Sequence, residues 1–161
     1  MTNQSQFLTL FAYHFDTTLK LLAHAAKLDI ADLEAEPGYG RGSIMGIFLH
    51  LLAADRGWRI GLETGQQTRP LDPDQRFDLP RLQTEFEQEA AAWAAYLEDC
   101  DDALLAADID LNTLRGHTRS FPRWRILHHL LFHGMQHQAE LAQRLTEAGH
   151  SPGDLDFIFY P

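Results

Sequence analysis

The chain has 161 residues, with 23 acidic side chains against 13 lysines and arginines and a formal net charge of −10. That balance repels polyanions on average, and no segment interleaves basic clusters with aromatics, so no nucleic-acid partner is expected. No uncharged apolar stretch reaches the roughly 18 residues of a membrane span, and MTNQSQFLTLFAYHFD at the start lacks the basic and apolar regions of an export signal, so a cytoplasmic protein with no membrane partner is expected.

The length suits one domain over residues 1–161, large enough to bury a core without disulfides. Cys100, the single cysteine, lies among Glu98, Asp99, Asp101 and Asp102. Their charge raises a thiol pKa, which argues against a reactive thiolate and fits a reducing compartment.

The periodicity predicts an all-α chain with four long helices. The first runs over about 4–28, where Phe7, Leu10, Phe11, His14, Thr18, Leu21 and Ala25 recur at three- and four-residue steps. Residues 36–42, EPGYGRG, must form a turn or loop. Ser43 is the expected N-cap of a second helix to about 62, whose apolar face carries Ile47, Phe48, Leu51 and a histidine, His50. The polar linker 64–80 is long enough for a surface excursion or a crossover between non-adjacent helices.

A third helix starts at Asp78 as N-cap, tolerates Pro80 in its first turn and continues to about Leu97. Its AAAWAA run (90–95) allows a neighbouring helix close, in the same chain or a second copy. Residues 108–120 suit a short hairpin or irregular loop. The fourth helix begins near Phe121-Pro122 and runs to Ala148, with Gly149 as its stop. The apolar tail, Phe157 to Tyr160, is expected to fold back over the bundle.

The chemistry-bearing feature is HHLLFHGMQH, residues 128–137. Helix positions four apart share a face, so His129/His133 and His133/His137 are both possible chelating pairs, whereas His128 points about 100° away. A third ligand must come from elsewhere, and His50 on its apolar helix face is the best donor. Three histidines with a position left open is the arrangement of a catalytic metal rather than a closed structural one. His14, His24, His117, His128 and His150 read as surface or hydrogen-bonded core residues. Phosphate loop, serine elbow and His-Glu-x-x-His are all absent. Glu140, one turn past His137, reads as an exposed helix charge or as a group orienting a ligand. Arg56 and Arg59 read as surface or dimer-contact residues, or as contacts for an acidic substrate. Arg119, Arg123 and Arg125 are the one local concentration of basic charge, sufficient for an anionic small molecule.

Three stretches carry a resemblance to the DinB/YfiT-like superfamily of four-helix-bundle metalloproteins: GSIMGIFLHLLAADRGW (42–58), LHHLLFHGMQH (127–137) and LTEAGHSPGDLDF (145–157). Their order and spacing span the chain. The resemblance implies a four-helix bundle with a long crossover connection and a divalent transition metal, zinc or nickel, held by His50, His133 and His137, with His129 beside the site. It also implies a homodimer acting on a small-molecule substrate as a metal-dependent transferase with a low-molecular-weight thiol. The alternatives are a non-catalytic, metal-stabilised dimeric binding or stress-response protein, and a metal-dependent hydrolase of small molecules. Where the family often reads His-Arg-Gly-Gln, this chain has His137-Gln138-Ala139-Glu140, so the substrate and thiol are not inherited from the likeness.

Overall fold

The computed structural model describes residues 3–161 except Tyr39 and Pro73, which fall within the expected loop 36–42 and linker 64–80. Four long helices dominate: α1 (Asn3–Ala25), α3 (Ile44–Thr64), α4 (Leu79–Glu98) and α6 (Arg123–Glu147). Two short helices, α2 (Ile30–Glu34) and α5 (Asp102–Ala106), lie in the connections and were not expected. A hairpin of β1 (Asp108–Asn112) and β2 (Thr118–Pro122) precedes α6, and a 3-10 turn (Phe157–Phe159) ends the chain.

Local chemistry sets the helix starts. The side chains of Ser43 and Asp78 accept from the N–H groups of Gly46 and Arg81, satisfying donors that have no intrahelical partner. Asp29 and Asp101 do the same for α2 and α5. Helix α3 stops at Gly65, whose φ of 71° suits a residue without a Cβ.

Pairwise contacts define the direction of each helix. Gln4 on α1 reaches the carbonyls of Leu97 and Glu98 on α4, and Phe11 meets Trp93, so α1 and α4 run antiparallel. Phe48 faces Phe86 and Asp55 meets Trp93, so α3 and α4 run parallel. Phe7 packs on His128 and His14 on Gln138, making α1 and α6 parallel, whereas His50 opposite His133 and Trp58 opposite His129 make α3 and α6 antiparallel. The bundle is therefore up-down-down-up. The long connection after α3 joins parallel neighbours, not non-adjacent helices, and its length lets the chain travel back to the other end of the bundle.

Trp93, Phe48, Phe86, Leu51 and Leu127 are fully buried at the centre. Each such side chain contributes about 1.5–3 kcal/mol through removal from water. Trp93 keeps its one polar group satisfied by donating Nε1–H to the Asp55 carbonyl, 3.2 Å away. Of the alanines beside it, Ala90 and Ala92 are half-buried and Ala91, Ala94 and Ala95 are exposed.

Two expectations need correction. The tail does turn back, with the Tyr13 hydroxyl donating to the Leu155 carbonyl, Lys20 to the Asp154 carbonyl and the Tyr160 hydroxyl to Asp16. It is held by these polar contacts and by ring contacts to Tyr13, and Ile158 stays 82% exposed and Phe159 75%. Arg56 and Arg59, in turn, grip the buried Glu89 on α4, with Glu85 and Glu63 completing the network. A carboxylate buried between two helices needs such partners, so both arginines are committed to this internal network rather than standing free at the surface.

Candidate metal centre

α3 and α6 cross face to face at His50, His133 and His137. Gly134 lies between the two α6 histidines and allows the close packing that holds α6 in place. A Cβ there would overlap the His14 ring of α1. That ring is itself locked: His14 Nε2 lies 3.1 Å from Asp55 Oδ2, and Gln138 donates to His14 Nδ1, to the His14 carbonyl and to the Thr18 hydroxyl. All four side chains are buried. A satisfied buried network of this kind fixes one arrangement of α1, α3 and α6. It makes His14 the hydrogen-bonded core residue expected, and it explains Gln138 as a packing residue.

Each of the three histidines offers one ligand atom, and these atoms all lie within 4.8 Å of one another. Among the described residues this is the one group of three or more His, Cys, Asp or Glu side chains close enough to hold a metal ion. Ring centroids are 4.7 Å apart for His133/His137 and 4.8 Å for His50 with either partner. His50 and His133 titrate well below the ordinary histidine value, at about 4. For His50 burial is the main cause, followed by the positive Arg41 and His137; for His133 it is again burial, then His137 and His50. Unprotonated imidazole nitrogens are donors a divalent transition metal takes, so the three side chains could hold such an ion.

Two further residues shape the donors. Glu140 Oε2 lies 3.2 Å from His137 Nδ1. An ionised carboxylate only accepts, so Nδ1 carries the proton and Nε2 is left with its lone pair. Burial pushes the Glu140 carboxyl up, but the Arg41 N–H, His137 and Arg144 outweigh it and hold the pKa below the usual range. Its other oxygen accepts the Arg41 N–H at 3.0 Å, tying the glycine-rich loop to α6. Gly40, at φ 67°, is needed because a Cβ would overlap Glu140. Glu140 is thus a half-buried, paired carboxylate rather than an exposed charge, and it orients a histidine.

Arg41 acts oppositely. Its guanidinium donates to His50 Nδ1 at 3.0 Å, so the ring proton sits on Nε2, which donates to His133 Nε2 at 2.8 Å. Holding a metal through His50 Nε2 requires the other tautomer, and therefore requires Arg41 to release Nδ1.

The remaining histidines lie outside the cluster. His129 packs on Trp58 with its ring 6.0 Å from that of His133, beside the site. His128 is turned toward Phe7, Trp124 and Phe132 and bonds the Trp124 carbonyl. His24 bonds the His150 carbonyl. Cys100 is buried with its pKa raised, chiefly by that burial. Arg41 escapes a reading of the sequence because its loop signals only a turn. Asp55 leaves a signal, an acid on the apolar stripe of α3.

The family model described as "DinB family" matches residues 1–161. No curated protein matches the chain in sequence. Among solved structures, a DinB-like protein of Bacillus cereus is similar at TM-score 0.72 and 18% identity, over 92% of this chain and 94% of that one. The DinB-like protein YjoA of Bacillus subtilis gives TM-score 0.69 and 19% identity, over 94% and 96% respectively. With the whole-length family match and the bundle described above, the chain belongs to the DinB family.

Proposed function

We propose that this protein is a metal-dependent transferase that joins a low-molecular-weight thiol to a small electrophilic substrate at a site made by His50, His133 and His137. One observation carries the reading: three imidazoles converge with their ligand atoms within 4.8 Å of one another, and no fourth protein ligand joins them among the described residues. A structural zinc site is normally closed by four protein ligands, whereas a reactive one keeps a position for an exogenous group. When bound, zinc or nickel supplies Lewis acidity that lowers the pKa of a thiol or water near neutral pH.

The chain's own residues do the rest. Glu140 holds the His137 proton at Nδ1 and aims Nε2 at the centre. The His14–Asp55–Gln138 network fixes α6, and Arg41 covers His50 until it is displaced. In the transfer, the thiol proton leaves to solvent, the sulfur bonds to the electrophilic carbon, and the bond to the leaving group breaks.

The reading includes a cytoplasmic location and a homodimer. Trp124, Phe132 and Met135 lie exposed on α6, with Phe132 at 62%, and such an apolar stripe favours pairing with a second copy. Sedimentation of wild type and Met135→Glu tests this part, with a dimer expected only for wild type.

The activity is tested by incubating zinc- and nickel-loaded protein with a panel of small thiols and an activated aryl halide. Metal-dependent thioether formation, lost in His133→Ala, is expected. Metal binding without turnover would overturn the enzymatic reading in favour of a non-catalytic, metal-stabilised protein. Ester or amide hydrolysis without thiol would replace the transferase by a hydrolase.

A further inference from the structure

A cleft on the side of the hairpin reaches His129, the neighbour of His133 on α6. One part, 330 Å³, is lined by Trp58, Phe121, Arg125, Ile126 and His129. A second, 640 Å³, shares Trp58 and Phe121 and extends along the hairpin past Leu111, Arg119 and Arg115. His129 connects the cleft to the centre, since its ring lies 5.5 Å from that of Trp58 and 6.0 Å from that of His133.

Strand alternation explains the lining. Side chains two apart share a face, so His117, Arg119 and Phe121 point together. The antiparallel register sets Arg119 opposite Leu111 and Phe121 opposite Ile109. Polar residues occupy the other face, where Thr118 bonds Asn112. The hairpin therefore offers aromatic and aliphatic surface near the histidines and guanidinium groups farther out.

Charge makes the choice of ligand. In a chain of net charge −10, no carboxylate lines either part of the cleft. Among the described residues Arg115, Arg119 and Arg125 form no ion pair, Arg125 merely lying over Trp124, whereas Arg56, Arg59, Arg81 and Arg144 all pair with glutamates. Arg123, the middle residue of the basic group, is taken up by the carbonyls of Ala107 and Asp108.

We propose that this cleft binds a small molecule with a planar apolar body and an anionic group, the body against Trp58 and Phe121 and the anion on Arg115 and Arg119. The planar body stacks on aromatic faces, and a carboxylate or phosphate takes the paired donors of a guanidinium. The ligand's inner end then lies one helical turn from His133. This specifies the substrate class of the proposed transferase and rests on that reading for the reaction alone, because the cleft is formed by residues other than the three histidines.

The test uses the full-length, metal-free protein labelled with 15N, titrated with 2-naphthoate and, separately, with uncharged 2-naphthamide while the Trp58 indole N–H is followed by NMR. Saturable movement with naphthoate is expected, with the amide about tenfold weaker. Arg115→Gln combined with Arg119→Gln should weaken naphthoate about tenfold and leave the amide unchanged. An unmoved Trp58 signal, equal affinity for acid and amide, or undiminished naphthoate binding in the double variant would each overturn the proposal. Since no metal is present, the outcome is independent of whether the histidines bind one.

Discussion

Glu140 Oε2 sits 3.2 Å from His137 Nδ1, one turn back along α6, while its second carboxylate oxygen holds the backbone of Arg41. One carboxylate thus orients a candidate ligand and anchors the loop that covers another. Outer partners of this kind typically account for 10–100-fold in metal affinity. Glu140→Ala should weaken zinc binding by about that factor in calorimetric titration with the helical circular dichroism unchanged, and Glu140→Gln should lose less. Wild-type affinity in Glu140→Ala would show that the contact does not support the centre.

Arg41 leads to a prediction of opposite sign. Its positive charge lies 3.0 Å from His50 and favours the tautomer that cannot coordinate through Nε2. Removing it lifts a like-charge penalty on an incoming cation. Arg41→Ala should bind zinc about fivefold more tightly, measured by competition with a chromophoric chelator. Weaker binding would mean that Arg41 helps to build the site.

The depressed histidines give the metal-free protein a pH dependence. His50 and His133 titrate at about 4 when folded, against 6.5 ordinarily. Between those values the unfolded chain binds more protons, so stability rises with pH through the window and is lost as pH falls from 6.5 towards 4. Urea unfolding should show this loss, with a shallower slope for the His50→Gln, His133→Gln double variant. Equal slopes for the two proteins would contradict it.

Gly134 is needed for packing rather than for chemistry. Adding a methyl group there drives it into the His14 ring, whose other sides are held by Asp55 and Gln138. Overpacking in a closed core costs about 1–3 kcal/mol. Gly134→Ala should lower the urea midpoint accordingly, and an unchanged midpoint would show that α1 and α6 separate freely.

Much of this structure can be read from residue patterns. Apolar residues at three- and four-residue steps mark the four long helices, Ser43 and Asp78 mark two helix starts within a residue, and Gly149 marks the end of α6. Residues 108–120 read as hairpin or loop and form the hairpin, because alternating Ile109 and Leu111 have a core to face. Helix geometry alone left two histidine pairs open on α6, and the family likeness chose the pair that the fold brings opposite His50. Arg41 and the role of Gln138 depend on contacts between elements distant in sequence, for which local periodicity carries no signal, whereas Asp55 shows as an acid on the apolar stripe of α3. The tail misled for a related reason: its apolar residues read as buried, yet polar contacts anchor it and leave Ile158 and Phe159 in solvent.

The central claim is that His50, His133 and His137 together hold one divalent metal. Chelator-treated protein titrated with zinc and nickel, with bound metal counted by elemental analysis, tests it most directly. One ion per chain is predicted, lost in His50→Ala, His133→Ala and His137→Ala but kept in His129→Ala, with thermal stability rising on binding as mass action requires. No stoichiometric binding, or binding untouched by the first three substitutions, would contradict the account.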